Sequence, residues 1–89
     1  MSITFKHAYA TLTENSSKAF TYLKETYGSN IHMGTHKDKP LQLIGTLGAF
    51  QRMVMFANSE ANNAMGDVER LAYQELKRKL LRGIDVYNS

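Results

Sequence analysis

An aromatic side chain and a basic side chain lie fifteen positions apart near the start of the chain, at Tyr9 and Lys24. Nucleotide bases are commonly held by stacking on an aromatic ring, which contributes about 1 to 3 kcal/mol per base. Phosphate groups need a cation or amide donors. Together the two residues can supply both functions for a ligand that carries a base and a phosphate.

The spacing limits how these two side chains can meet. On one continuous helix they lie about 60° apart around the axis but about 22 Å apart along it. They converge on one small ligand if the chain breaks between Thr13 and Ser17. They also converge if a second protomer packs antiparallel and places Tyr9 of one chain opposite Lys24 of the other. That arrangement has a two-fold axis, which suits a ligand with two bases and two phosphates.

Catalytic and metal-binding patterns are weak in this sequence. His32 and His36 are four positions apart, as two metal ligands on one helix face are, but Gly34 lies between them and no third ligand is evident. No spacing pairs a nucleophile with a base or one carboxylate with another. We therefore expect no catalytic residues, no metal site, no cofactor and no enzymatic activity.

Length and composition indicate one small domain. The chain has 89 residues, no cysteine and 43% hydrophobic residues. A chain of this size buries only about 60 to 65% of the surface that its unfolded form exposes, so we expect apolar faces that drive self-association. The sequence contains no run of eighteen apolar residues and no targeting or lipidation motif. The expected location is the cytoplasm, with no membrane partner.

Apolar residues that recur every three or four positions predict an all-α fold. Residues 40–64 carry one such stripe, and Pro40 suits the first position of a helix. A second stripe in residues 3–27 is interrupted by a polar cluster at 13–17, and a third follows a break at residues 66–67. The connector 28–39 is expected to be irregular. The predicted architecture is a single helical domain, residues 1–89: a helical hairpin with an additional C-terminal helix, room for a short N-terminal helix, and an oligomeric state.

The segment from Phe50 to Ala64 resembles the small phage anti-CBASS proteins, which sequester cyclic nucleotide messengers and share a helical hairpin domain with an anti-Thoeris sponge. In that family the hairpin arm opens with a Lys-rich turn, continues through a Leu-rich stretch and closes on an apolar, aromatic, Ala-Asn signature. Residues 37–39, 41–47 and 54–58 supply these three parts here. The resemblance extends over residues 9–64.

This resemblance implies a function and a site. In the family a tyrosine before the hairpin stacks on a purine of a cyclic dinucleotide, and a lysine fifteen positions later contacts phosphate with a threonine two positions further on. Tyr9, Lys24 and Thr26 fit that spacing. The implied protein is a non-enzymatic homo-oligomer, a hexamer by family resemblance. It would bind cyclic di- and trinucleotides such as 3',3'-cGAMP in the cytoplasm of an infected bacterial host and so block CBASS signalling.

Two other functions stay open. Met and aromatic side chains can form an adaptable surface by which a small helical phage protein binds and inhibits a host protein, and the residues suited to it are Met53, Met55, Phe56 and Met65. Basic residues in 77–82 can bind phosphate or a nucleic acid, although such a helix face is usually solvated and the net charge of +3 is too small to indicate a nucleic acid polymer. Tyr9 can equally be a packing residue, Lys24 a solvated cation and Thr26 a surface residue.

Overall fold

A three-stranded sheet and three helices form the part of the chain that the computed structural model describes, residues 6–27 and 33–89. The sheet is antiparallel, and its strand order β1-β3-β2 makes β1 and β2 the two edges. The fold is therefore α+β, and the all-α prediction is wrong. The elements in chain order are β1 (Ala8–Thr11), α1 (Glu14–Tyr27), β2 (Met33–His36), β3 (Lys39–Gly45), α2 (Leu47–Asn63) and α3 (Asp67–Asn88).

The first strand occupies part of the segment that was predicted to be helical. Ala8 and Ala10 are buried, whereas Tyr9 and Thr11 are exposed. This two-residue alternation is the pattern of a strand with one face in the core. Residues 1–5, where the predicted helix would begin, lie outside the described residues.

The predicted break between Thr13 and Ser17 is the point where α1 begins. The Thr13 N–H donates to Ser16 Oγ at 2.8 Å, and the Ser16 N–H donates to Thr13 Oγ1 at 3.2 Å. These reciprocal bonds form a capping box in which serine takes the place of the usual Glu or Gln. The cap ends the extended chain of β1 and starts the helix that carries Lys24.

The helix predicted to begin at Pro40 is two separate elements. Pro40 lies in β3, and α2 begins only at Leu47. Thr46 is the N-cap of α2, because its hydroxyl accepts a hydrogen bond from the Ala49 N–H at 3.1 Å. The predicted boundary was therefore seven residues too early.

Pro40 fits a strand because of where it lies in the sheet. The pairing of β2 with β3 shifts between Thr35 and His36, so Pro40 lies opposite the irregular end of the ladder. A missing backbone N–H is tolerated at such a place. The strand β2 also corrects the prediction of an irregular connector over residues 28–39, of which residues 28–32 lie outside the described part.

The helices α2 and α3 form a long hairpin whose turn falls at the predicted break before Asp67. Their inner faces meet α1 and the inner face of the sheet in one core. Its largest fully buried hydrophobic side chains are Phe50, Leu23, Leu43, Met53, Leu76 and Leu80. In the described ranges no helix combines the length and the apolar character needed to cross a membrane.

Candidate functional site on the open face of the sheet

The sheet buries one face and exposes the other. Its register aligns Tyr9, Ile44 and Gly34 in one row across the three strands. Directly paired residues direct their side chains to the same face. Tyr9 is 53% exposed and Ile44 is half-buried, whereas Ala8 and Ala10 of the other face belong to the core. We call the side that carries the Tyr9 row the open face.

Two basic side chains lie beside Tyr9 at one edge of the open face. Lys79 and Arg82 line a depression of about 200 Å³ together with Tyr9, Gly83 and Val86. Lys79 and Arg82 are three positions apart on α3 and so lie on the same side of that helix. An exposed aromatic ring and two cations therefore share one small depression.

Gly83 allows α3 to approach β1 this closely. A Cβ atom at Gly83 would lie 2.5 Å from the Tyr9 carbonyl oxygen and 2.9 Å from a ring carbon of Phe50, and neither distance is tolerated. The Leu12 N–H donates to the Leu41 carbonyl at 2.7 Å. Because hydrogen-bonded pairs alternate along an antiparallel ladder, the even-numbered residues of β1 are the ones that bond to β3. The carbonyl of Tyr9 therefore points away from β3. The helix α3 thus covers the edge of β1.

Lys24 reaches the opposite edge of the sheet. Its ammonium nitrogen lies 6.0 Å from the centre of the Phe20 ring and 3.7 Å from the position that a Cβ would take at Gly34. Gly34 is the β2 end of the Tyr9 row, and two strand spacings separate the Cα atoms of Gly34 and Tyr9 by about 10 Å. The break before α1 therefore brings Tyr9 and Lys24 to the two margins of one face.

Thr26 is not brought to this face. It is exposed on α1, two residues after Lys24, and residues two apart on a helix point to different sides. The depression beside Lys24, of about 620 Å³, is lined by Phe20, Thr35 and Pro40 among others but not by Thr26. Of the three predicted site residues, two lie at the margins of the open face and one lies off it.

The basic residues predicted as one run at 77–82 separate in the structure. Lys79 and Arg82 face Tyr9, whereas Lys77 donates a hydrogen bond to Asn58 Oδ1 at 2.8 Å. Helical spacing alone indicates that Lys79 and Arg82 share a side of α3. The sequence does not show that this side of α3 faces β1, because the two elements are far apart in the sequence.

The histidines at positions 32 and 36, which were considered as metal ligands, are not both among the described residues. His32 and the side chain of His36 lie outside them. Across residues 6–27 and 33–89, no three side chains of His, Cys, Asp or Glu come together in a group that could hold a metal ion.

Comparison with protein-family models, with curated proteins and with solved structures finds no match to this chain. The expected hairpin arm also differs from what the structure contains, because residues 39–45 form a strand. Any proposal of a ligand for this protein therefore rests on the side chains that the structure places on the open face.

Proposed function

We propose that this protein is a non-catalytic sponge that binds cyclic di- or trinucleotides and so keeps them from CBASS effectors. The observation that carries the proposal is the exposed Tyr9 ring, with Lys79 and Arg82 beside it and the Lys24 ammonium at the other margin of the same face. An aromatic ring can stack on a base, and ammonium and guanidinium groups can bind phosphate.

Cations at two margins suit a ligand with two phosphates. A cyclic dinucleotide holds two bases and two phosphates in a fixed relation, and its closed ring loses less conformational entropy on binding than a linear chain does. The Tyr9 row spans about 10 Å between its outer Cα atoms, and the half-buried Ile44 offers apolar surface in the middle. These features favour 3',3'-cGAMP or a similar messenger as ligand.

A sponge acts by stoichiometric capture and therefore needs tight binding. The open face can cover only one side of a ligand, and a second protomer placed over it would exclude water from the other side. A homo-oligomer with sites shared between chains, a hexamer by family resemblance, would meet this need in the cytoplasm of an infected bacterium.

Calorimetric titration with 3',3'-cGAMP and with the corresponding linear dinucleotide tests the proposal. The cyclic ligand should bind far more tightly. Tyr9→Ala should weaken its binding about tenfold to hundredfold, because a stacking surface is lost, whereas Tyr9→Phe should have little effect. Lys24→Ala and Lys79→Ala should each weaken binding through a lost phosphate contact, and Lys24→Arg should restore it only in part.

Arg78→Ala is the matched control, because Arg78 is exposed on α3 but lines a depression that does not include Tyr9. It should bind as the parent does, and ligand recovered after denaturation should be intact by mass spectrometry. A parent protein that binds no cyclic di- or trinucleotide would refute the proposed function. Correctly folded Tyr9→Ala and Lys24→Ala proteins that bind like the parent would refute the site. Stronger, steeply salt-dependent binding of duplex DNA would favour the basic helix instead.

Exposed apolar side chains near the hairpin turn favour a second candidate function, the binding and inhibition of a host protein. Met65, Val68 and Leu71 are 97%, 78% and 63% exposed. Such a strip is typical of a protein-binding surface. Replacing Val68 and Leu71 with aspartate should abolish capture of a host partner, whereas Tyr9→Ala should leave that capture unchanged, so the two functions can be told apart.

The surface predicted for that partner is only partly available. Met55 is exposed, as Met65 is, but Met53 is buried and Phe56 is half-buried against the core. The apolar strip of this second candidate therefore runs along the start of α3 and not along α2.

A further inference from the structure

A second groove lies where the three helices meet, and it shares no lining residue with the Tyr9 depression. Its volume is about 470 Å³. Its lining includes two tyrosines, Tyr22 of α1 and Tyr73 of α3, and two glutamates, Glu60 of α2 and Glu69 of α3. We call it the tyrosine groove.

Two aromatic rings form a corner of the tyrosine groove. The rings of Tyr22 and Tyr73 have their centres 6.4 Å apart and their planes at 64°. Behind them, Tyr27 stacks on Phe56 with ring centres 4.1 Å apart and donates its hydroxyl to Glu60 Oε1 at 2.9 Å. The hydrogen bond holds the Glu60 carboxylate in place at the groove.

The charged groups of the groove favour a cation. Glu60 and Glu69 line it together with a single basic residue, Lys18. Within the described part of the chain no ion pair joins Lys18 to either carboxylate. Burial, and after it the charge of Glu60, raises the pKa of Tyr73 to about 12, which is consistent with a negative potential at this place.

We propose that the tyrosine groove binds an organic cation, namely an alkylammonium group that carries methyl or methylene substituents. Aromatic faces attract such a cation, and a nearby carboxylate neutralises its charge. Alkyl substituents match the apolar side chains of Ala64, Val68 and Ala72 in the lining, which would not suit a hydrated metal ion. The volume of the groove is within the usual range for small-ligand sites.

Choline and 3,3-dimethylbutan-1-ol are suitable probes, because they have nearly the same shape and only choline is charged. Titration of the full chain followed by NMR should show choline binding about tenfold more tightly than the alcohol. Glu60→Gln keeps an acceptor for the Tyr27 hydroxyl but removes the charge. This variant should lower the affinity for choline about tenfold and leave that for the alcohol unchanged. Tyr22→Leu should weaken choline binding several-fold, and Tyr22→Phe should retain it.

Glu75→Gln is the matched control, because it removes the same charge from α3 at a position that lines a different depression, beside Arg78. It should bind choline as the parent does, and so should Tyr9→Ala, which makes the result independent of the proposed sponge function. Circular dichroism and melting curves verify that each variant is folded. Equal affinity for choline and the alcohol, no choline binding at tens of millimolar, or a folded Glu60→Gln that binds choline like the parent would each overturn the proposal.

Discussion

Tyr9 contributes its backbone to packing and its side chain to the open face. The carbonyl faces Gly83 of α3, while Tyr9 as a whole is 53% exposed and lies beside Lys79 and Arg82. Substitution of the ring leaves the carbonyl in place, so Tyr9→Ala can report on ligand binding without removing the contact with α3. The sequence predicted a ligand contact at Tyr9 from its residue type and its spacing from Lys24, and this stays a prediction. It could not identify Lys79 and Arg82 as neighbours, because that contact depends on how α3 packs on β1.

The phenol of Tyr73 predicts a pH dependence of stability. Its pKa is raised to about 12 in the folded protein, chiefly by burial, whereas an unfolded tyrosine has a pKa of about 10. Below about pH 10 both states are protonated and the stabilising contribution is complete. As the pH rises from about 10 to about 12, the unfolded state loses its proton first and the free energy of unfolding falls.

Absorbance titration should therefore reveal a tyrosine that ionises late in the folded protein and normally in urea. Tyr73→Phe should lose this late step and show a smaller decline of the urea midpoint over the same pH interval. If all tyrosines of the folded parent ionise near pH 10, Tyr73 is not buried as described.

At the scale of elements, the sequence predicted the start of a helix where capping residues precede it. Thr13 and Ser16 lie in the polar cluster that was expected to interrupt the first helix, and Gly66 marks the turn of the hairpin. Caps are local, because they depend on residues within one turn of each other. This is why the beginnings of α1 and α3 were close to the predicted positions.

Helices were predicted where β1 and β3 lie, because the apolar patterns of these strands are short and also fit a helix. The buried positions of β1 are Ala8 and Ala10, and alanine is a favourable helix former whose small side chain gives little periodic contrast. In β3, Leu43 happens to continue the three- and four-residue spacing of Leu47 and Phe50 across the cap at Thr46. Pairing of β1 with β3 is a long-range contact that no local window contains.

The close contact between α3 and β1 predicts opposite effects for two glycine substitutions. Gly83→Ala should lower the free energy of unfolding by about 1 to 3 kcal/mol, because the added Cβ would meet the Tyr9 carbonyl and the Phe50 ring. Gly48→Ala, also within a helix, has nothing within 4 Å of its new Cβ. It should be neutral or stabilising by up to about 1 kcal/mol, since alanine favours helix. Urea unfolding measures both.

Helix propensity alone would make both alanine variants more stable. A Gly83→Ala protein at least as stable as the parent would therefore contradict the close packing of α3 on β1. It would also remove the reason for placing Lys79 and Arg82 beside Tyr9.

At the scale of the whole molecule, the exposed apolar side chains predict self-association. Met65, Val68 and Leu71 lie on a surface that the single chain does not cover. We expect a stable oligomer at micromolar concentration, measured by light scattering, and a lower mass when Val68 and Leu71 are replaced by lysine. A parent that is monomeric at tens of micromolar would exclude sites shared between chains and favour a partner protein as the occupant of this surface.

During protein synthesis, α3 can cover the edge of β1 only after both elements have been made. The strand β1 leaves the ribosome before β3, and Gly83 of α3 emerges after both. Until then the outer edge of β1, where the Tyr9 carbonyl lies, has no helix beside it, and contacts between such distant segments form slowly. A nascent chain that stalls before residue 83 would present an unprotected strand edge to its neighbours, which is a route to aggregation. The helix α3 therefore protects the edge of β1 and also places Lys79 and Arg82 beside Tyr9.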